Sequence, residues 1–419
     1  MEYLFLKDVV KSMGGKVVHG RSNVLIKTVI QKHFSTVWTS NTMIFHFNPT
    51  QELKINPGLD GVIVVTSNPE FILSKESSIT VVQVKNVSKA YWKFMWHYRR
   101  RMKVPFVTIM SRKNNKIREI IEWIIHGRLS FNSLKKIKNH KGIRLLSLKK
   151  SKKAAVIDFP TNQMNETYHM YKPNYIILPE PEVYIDEMNV LLSKLGENET
   201  VVLNVSNTIT MKHPKLITYG FTTHAEFFIN DIKYGKNQTS FSLRYENNSY
   251  SFTVQGYGED LVLQATAAII VAYKLGVEVL DITKRLGAFQ FDENKLRLLN
   301  GINGALMLKD SSNMEGKDLH HSLRVLSQIE EQRKKIAVLK ESDLKDLELV
   351  KRMLTEYNIN TVLIVHENYK NNRIQEDSKV IYCKNSNEAY SILLRLLDKN
   401  SVFLIHSNMR KLCTKLSRA

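Results

Sequence analysis

Short apolar runs alternate with amphipathic helical segments along the chain, and this pattern constrains the fold more than any other feature. A buried-type strand at residues 104–110 is followed by a polar stretch and a helix at 117–126. Further strand-like runs lie at 153–159, 175–178, 200–205 and 215–219. Strands that alternate with helices are typical of a largely parallel sheet with crossover helices. We therefore predict an α/β protein.

The 419 residues, 43% of them hydrophobic, are enough for two or three cores of ordinary domain size. Residues 1–103 mix short strand-like runs with turn residues and predict a small N-terminal α/β unit. Residues 104–332 predict a central domain with a P-loop-like, mostly parallel sheet and helices. After residue 332 the alternation of strands and helices starts again, so 333–419 predict a C-terminal Rossmann-like, doubly wound domain.

Two local patterns within the central region each predict a specific element, a β-hairpin and a helix. The runs at 241–244 and 250–255 flank the turn residues 246–248, as expected of a β-hairpin. The helix predicted at 259–274 ends before Gly276, whose missing side chain suits a helix C-terminus.

The sequence predicts a cytoplasmic protein without a membrane span. Its N-terminal residues do not form a signal peptide, and no apolar stretch approaches the roughly 18 residues that cross a bilayer. The two cysteines, Cys383 and Cys413, lack the spacing of a metal or redox motif, so we expect buried, reduced thiols.

The formal net charge of +21 is distributed unevenly along the chain. Basic residues are dense at 99–101, at 112–113 and from 135 to 153. A positive field of this kind attracts nucleotides, acidic glycan precursors, nucleic acid or anionic lipid. A solvated basic face is the competing interpretation.

Several short motifs occur in a characteristic order. They are Leu6-Lys7-Asp8-Val9-Val10, Gly14-Gly15-Lys16-Val17-Val18-His19-Gly20, Tyr98-Arg99 before Val104-Pro105, the helix at 258–277, Leu308-Lys309-Asp310-Ser311-Ser312-Asn313, and the strand at 333–339. Together they resemble the Mur ligase family over nearly the whole chain, and most closely its branch that adds D-alanyl-D-alanine to a UDP-N-acetylmuramoyl-tripeptide. The resemblance implies a ligation in which ATP phosphorylates a UDP-sugar-peptide carboxylate and an amino group attacks the acyl phosphate. It also implies a glycine-rich phosphate loop, Mg²⁺ ligands and a carbamylated lysine.

The phosphate loop is the motif that departs most from the family. Where TGxxGKT is expected, the chain has Met110-Ser111-Arg112-Lys113-Asn114-Asn115-Lys116-Ile117. Both glycines, which let backbone N–H groups curl around a phosphate, are replaced, and the Lys-Thr pair is broken. The cations Arg112, Lys113, Lys116 and Arg118 remain as candidate nucleotide-binding residues. The alternative is a basic surface loop.

The metal-binding elements are also altered. Asp158 stands where the family has a glutamate and is the candidate Mg²⁺ ligand, with a carboxylate arm one methylene shorter. The histidine expected after the next strand is replaced by Pro179-Glu180. Lys194 is the lysine present in the region that carries the carbamylated residue, but a lysine near a helix end is stabilised by the helix dipole and needs no functional explanation.

Three residues near the end of the central domain are candidate catalytic residues by resemblance. Lys295 replaces an expected arginine, whereas Asp310 and Asn313 keep the family's residue types, and Asn313 is also a candidate nucleotide contact. Asp310 or Ser311 has an alternative role as the N-cap of a following helix.

The replaced motif residues all serve one reaction in the family, whereas the family's pattern of strands and helices is retained. The leading hypothesis is therefore a relative of the D-Ala-D-Ala-adding peptidoglycan precursor ligase that is catalytically impaired and binds a phosphorylated or acidic ligand or partner. One alternative is an active ATP-dependent, amide-forming ligase that uses ATP and Mg²⁺ as cofactors; the impaired protein needs no cofactor. The other is a nucleic-acid-binding protein, which is disfavoured because the basic run at 135–153 lacks interleaved aromatic residues. Whether the chain is an enzyme stays open.

Overall fold

The computed structural model of the protein divides into two compact units. The first comprises Met1–Asn204 and Thr208–Ile217, and the second comprises Val205–Asn207 and Thr218–Ala419. The structure describes residues 3–30, 39–48, 53, 58–73, 79–111, 116–126, 131–134, 154–159, 168, 171–180, 189–191, 193–205, 215–290, 296–310, 316–341, 354–366, 379–405 and 409–417.

The N-terminal part of the first unit is built on a five-stranded sheet. Its strands and helices are β1 (Leu4–Phe5), α1 (Leu6–Met13), β2 (Gly15–His19), β3 (Leu25–Ile26), β4 (Thr28–Ile30), β5 (Thr42–Phe45), β6 (Ile63–Thr66), α2 (Pro69–Leu73), β7 (Thr80–Val84) and α3 (Val87–Arg101). The sheet order is β2-β7-β6-β5-β4, and its neighbours are parallel except for β2 and β7. β1 and β3 form a separate antiparallel pair.

The sequence of helix α3 determines where the helix begins and gives it one apolar side. The side chain of Asn86 accepts a 2.8 Å hydrogen bond from the backbone N–H of Lys89, as expected of an N-cap. The buried positions of the helix are Val87, Ala90, Tyr91, Phe94, Met95, Tyr98 and Arg99. Because these positions recur every three or four residues, one side of α3 joins the core and the other remains at the surface.

A second, parallel sheet completes the first unit. Its elements are β8 (Phe106–Met110), α4 (Ile117–Ile125), β9 (Phe131–Leu134), β10 (Ala154–Phe159), β11 (Tyr175–Leu178) and β12 (Thr200–Asn204). The order is β12-β11-β8-β10-β9, and the pairs β12-β11, β11-β8, β8-β10 and β10-β9 are parallel. The strands and the helix predicted from the sequence are confirmed, with small shifts at their ends. Strand β13 (Leu216–Gly220) then leads the chain into the second unit.

The second unit begins with the predicted hairpin. Strands β14 (Phe227–Gly235), β15 (Gln238–Tyr245) and β16 (Asn248–Gln255) are antiparallel neighbours, followed by helices α5 (Glu259–Lys274) and α6 (Val279–Ala288). Gly276 follows the end of α5 with a φ of +86°. This left-handed backbone favours glycine, which explains why the helix ends where the sequence predicted.

The remaining elements form a six-stranded sheet. They are β17 (Leu296–Asn300), β18 (Leu306–Asp310), α7 (Gly316–Gln328), β19 (Lys334–Lys340), β20 (Thr361–Val365), β21 (Val380–Cys383), α8 (Ser386–Leu396), β22 (Ser401–Ile405) and α9 (Arg410–Leu416). The order is β17-β18-β22-β19-β20-β21, and β17 alone is antiparallel to its neighbour. β17 and β18, which precede residue 332, thus share this sheet with the strands that follow it. The domain boundaries at 103 and 332 stay predictions.

The two faces of this sheet bury different residues. Ala337 and Leu339 of β19 pack with Leu323 of α7, whereas Ile336 and Val338 pack with Leu393 and other residues of α8 and α9. Helices therefore cover both faces, and the order β21-β20-β19-β22 is the 3-2-1-4 order of a doubly wound sheet. The predicted fold class is confirmed. In the described part of the chain, no helix is long and apolar enough to span a bilayer.

The two cysteines lie in the core of this sheet as free, buried thiols, as predicted. Burial raises the pKa of both thiols, that of Cys383 to about 12. Both therefore remain protonated and unreactive at neutral pH.

Lys335, near the start of β19, is a buried amine. Its Nζ donates to the backbone carbonyl of Ile329 and, at 2.8 Å, to that of Glu330, both just after the C-terminus of α7. Burial lowers the pKa of Lys335 to about 8 from its ordinary value of 10.5. Between these values the folded protein binds fewer protons than the unfolded chain, so stability rises with pH across this window.

We expect the free energy of unfolding to rise by up to about 3 kcal/mol between pH 8 and 10.5 from this group. Urea unfolding at several pH values will measure the effect, with Lys335→Met as the comparison. The difference in free energy between the two proteins should depend on pH within this window and be constant below it. Parallel pH profiles for the two proteins would contradict the prediction.

Candidate functional site

The carboxyl edge of the parallel sheet in the first unit carries the first group of candidate residues. In the pairing of β10 with β8, Asp158 lies opposite Ile109, near the ends of both strands. Ser111, directly after β8, is buried. Ligands of parallel α/β sheets bind at this edge, where the strands end and the loops begin. The candidate metal ligand and the start of the candidate phosphate loop are thus on adjacent strands.

Lys116 and Arg118, at the start of α4, are paired with carboxylates of their own helix. Lys116 Nζ lies 3.0 Å from Glu119 Oε2, and Arg118 Nη1 lies 2.7 Å from Glu122 Oε1. Arg118 also reaches Glu119, with 3.4 Å between Nη2 and Oε1. Its side chain is only 7% exposed. A phosphate that bound these cations would compete with Glu119 and Glu122 for them.

The other two loop cations, Arg112 and Lys113, lie outside the described residues, and the shape of the loop therefore stays a prediction. The basic run at 135–153, which motivates the nucleic-acid hypothesis, is outside them as well. The structure brings Lys116 and Arg118 together around Glu119 and places Asp158 on the strand beside β8.

The neighbouring strand ends show a contact that sequence reasoning missed. Asn204, the last residue of β12, donates from Nδ2 to the backbone oxygen of Pro179, with a distance of 2.9 Å. This hydrogen bond ties the ends of β12 and β11 together. The segment Pro179-Glu180, which replaces the expected histidine, is therefore held in place at the carboxyl edge. Its only sequence signal was an asparagine at the end of an apolar strand.

The candidate Mg²⁺ ligand at this edge is a single carboxylate, that of Asp158. Mg²⁺ prefers six oxygen ligands and commonly completes its shell with water and substrate phosphates, so one carboxylate fits such a site. Among the described residues, no three His, Cys, Asp or Glu side chains are grouped to hold a metal ion. Lys194 lies exposed in a turn, and its backbone N–H donates to Leu191 at 2.9 Å.

In the second unit, Asp310 is a buried carboxylate at the end of β18. Ser322 Oγ of α7 donates a 2.5 Å hydrogen bond to Asp310 Oδ2. Residues 311–315, between Asp310 and α7, lie outside the described residues, so the N-cap alternative stays a prediction. Through this hydrogen bond, the aspartate links the end of a strand to the middle of a helix. Lys295, Asn313 and Ser311 lie outside the described residues.

His321, beside Ser322 on α7, was missed by the sequence analysis. It faces Gly258 at the start of α5, where an added Cβ would lie 3.3 Å from His321 Nε2. Burial lowers the pKa of His321, although Glu259, Asp260 and Asp310 oppose the shift. The imidazole is therefore neutral at pH 7. The available signal was the pair of adjacent histidines in the helix after Asp310.

An ion pair joins the same two helices. Arg324 of α7 pairs with Glu259 in the first turn of α5. The polar residues near the start of α5 thus include the neutral His321, the ion pair of Arg324 with Glu259, and the buried hydrogen bond between Ser322 and Asp310.

The chain is similar to known proteins in sequence and in fold. Residues 177–272 match the Mur ligase middle domain. The chain is 27% identical over 121 residues to UDP-N-acetylmuramate–L-alanine ligase of Alkaliphilus metalliredigens, covering 28% of this chain and 25% of that protein. It is 25% identical over 132 residues to UDP-N-acetylmuramoyl-tripeptide–D-alanyl-D-alanine ligase of Bacillus subtilis, covering 31% and 28% respectively. The match thus spans about a quarter of the length of these curated relatives.

The fold is shared over a much longer stretch. The crystal structure of MurF from Acinetobacter baumannii superimposes with a TM-score of 0.56 and 15% identity, covering 99% of this chain and 98% of that one. The predicted resemblance to Mur ligases is confirmed.

Proposed function

We propose that this chain, which has the Mur ligase fold and a Mur ligase middle-domain segment, is a relative of the peptidoglycan precursor ligases whose ATP-dependent ligation is impaired. In this proposal its basic loop residues bind a phosphorylated or acidic ligand, such as a UDP-sugar-peptide, or an acidic partner, instead of a reacting nucleotide. A cytoplasmic location is part of the same proposal.

The pairing of Lys116 and Arg118 with Glu119 and Glu122 carries this proposal. Both cations, which would face the phosphates of a nucleotide, are neutralised by carboxylates on their own helix. A triphosphate would have to displace these carboxylates and would then lie beside two negative charges. Charge repulsion of this kind weakens the binding of a triphosphate at Lys116 and Arg118.

The loop sequence supports the same conclusion. A phosphate cradle depends on backbone N–H groups that converge on one point, and glycines give the loop the φ and ψ angles this requires. The replacement of both glycines removes that freedom. The cations around the loop still attract anions, but without a cradle they provide neither the positioning nor the metal coordination that phosphoryl transfer needs.

Isothermal titration with MgATP tests the proposal directly. We expect no measurable binding of MgATP below millimolar concentrations, with any weak binding independent of Mg²⁺. The variant Lys116→Ala should be titrated beside wild type, with Lys27→Ala as the matched control because Lys27 is an exposed lysine of the same unit. Micromolar, Mg²⁺-dependent binding that Lys116→Ala abolishes and Lys27→Ala preserves would overturn the proposal.

That outcome would favour the second candidate, an active ATP-dependent amide-forming ligase. Its support is the position of Asp158 beside the strand that leads into the loop, where a carboxylate can hold a Mg²⁺ ion. In this candidate, Arg112, Lys116 and Arg118 bind the phosphates.

A further inference from the structure

The exposed side of α3 carries an unusual combination of tryptophans and cations. Lys89, Trp92, Lys93, Trp96 and Arg100 follow one another at intervals of one to four residues and lie on the surface. We refer to these five residues as the Trp-Lys face. Trp92 is 39% exposed and Trp96 is 46% exposed, although large aromatic side chains are ordinarily buried.

The two tryptophans are not needed to attach the helix to its core. Tyr91, Phe94, Met95 and Tyr98, on the other side of α3, are almost completely buried in the core of the first unit. The Asn86 cap fixes the start of the helix. The Trp-Lys face is therefore presented by a firmly packed helix.

The charge around this face is mostly positive. The sequence contains no Asp or Glu between residues 77 and 118. The Arg100 guanidinium lies 5.6 Å from the centre of the Trp96 ring, so a cation and an indole share one patch. Lys93 Nζ lies beside Gly14, at the C-terminus of α1. The exposed Asp8 of α1 is an acidic group near α3, where its charge opposes the lowering of the pKa of His97 by burial and by Arg101 and Arg100.

Indole rings combined with Lys and Arg side chains match the chemistry of an anionic lipid surface. Indole prefers the boundary between water and hydrocarbon, and cations are attracted by lipid phosphates. Helices that lie on membranes combine the two in this way. We propose that the Trp-Lys face is a docking surface for anionic phospholipid headgroups, which holds the protein reversibly against a membrane. This inference does not depend on the proposed loss of ligation.

Co-sedimentation of the full chain with vesicles tests the inference. One set of vesicles contains phosphatidylcholine alone, and the other contains equal amounts of phosphatidylcholine and phosphatidylglycerol. We expect binding to the phosphatidylglycerol vesicles, loss of binding at high salt, and a blue shift of tryptophan emission on binding. Lys89→Gln/Lys93→Gln should weaken binding roughly 25-fold, since each cation at an anionic surface contributes about fivefold. Trp92→Ser/Trp96→Ser should weaken it about tenfold and remove the blue shift.

Matched variants elsewhere on the surface provide the controls. Trp123 of α4 is 45% exposed, and Lys236 and Lys284 are exposed lysines of the second unit. Trp123→Ser and Lys236→Gln/Lys284→Gln should each bind within about twofold of wild type, because they leave the local field at α3 intact. Thermal melts of all variants establish that they fold.

Three results would overturn the inference. The first is equal binding to both kinds of vesicle, and the second is an absence of binding to either. The third is self-association in solution that Trp92→Ser/Trp96→Ser abolishes, since this would assign the face to a second copy of the chain.

Discussion

Replacing Arg99 with Met is expected to lower the free energy of unfolding by about 4 kcal/mol. Arg99 is buried, and its guanidinium donates to the carbonyls of Tyr171 at 2.5 Å, Met102 at 3.0 Å and Lys172 at 3.1 Å. It also stacks on the ring of Phe106, 3.7 Å from the ring centre. Methionine fills part of the space but donates no hydrogen bond, so the three carbonyls lose the bonds from Arg99, and that of Met102 keeps its 2.8 Å bond from the backbone N–H of Val104.

Urea unfolding followed by tryptophan fluorescence will measure this loss. Burial lowers the pKa of Arg99 to about 10, so the side chain still carries its charge at pH 7. Arg99→Lys keeps a charge but not the planar fork, and we expect it to recover less than half of the lost stability. The exposed neighbour provides the control: Arg100→Met should cost less than about 0.5 kcal/mol. A decrease of less than about 1 kcal/mol in the free energy of unfolding of Arg99→Met would contradict the prediction.

Replacing Gly20 with Ala is expected to destabilise the first unit by about 3 kcal/mol or more. Gly20 has a φ of +81°, where a side chain is strained. An added Cβ would also lie 2.6 Å from Thr80 Oγ1, 2.8 Å from Thr80 Cα and 2.9 Å from the backbone oxygen of Ile79. Because two of these atoms belong to the backbone at the start of β7, the collision cannot be relieved by turning a side chain.

A second glycine, Gly58, allows the cost of backbone strain to be measured without the steric clash. Gly58 has nearly the same φ, +80°, but nothing lies within 4 Å of its added Cβ. Gly58→Ala should therefore cost only the backbone strain, about 1 kcal/mol. Urea unfolding of both variants gives the comparison. Equal losses at the two positions would mean that the contact with Thr80 is unimportant.

These contacts give the glycines of the N-terminal motif a structural role. Gly14 has a φ of +71° at the end of α1, and an added Cβ on Gly15 would lie 2.7 Å from Val82. Together with Gly20, these glycines are required by the packing of the fold itself. The glycines missing from the loop would instead serve a bound phosphate, and we propose that their replacement weakens nucleotide binding.

The candidate site was predictable only in part. The order of strand, loop and helix located Lys116, Arg118 and Asp158 at one edge of a parallel sheet, because parallel strands end at a common edge. The pairing of Lys116 and Arg118 with Glu119 and Glu122 follows the spacing of a helix and could have been predicted from the sequence. The contacts of His321 with Gly258 and of Ser322 with Asp310 were not, since they join segments whose separation in the sequence carries no periodic signal.

The sequence by itself determined the α/β class, the positions of most strands and helices, the hairpin, and the buried state of the two cysteines. These features follow from periodicity and turn chemistry, which act over a few residues. Only the tertiary structure decided that β17 and β18 join the C-terminal sheet and that Arg99 binds three carbonyls. It also decided that the tryptophans of α3 face outward, because the buried side of a helix is selected by the partner it packs against and not by its own apolar residues alone.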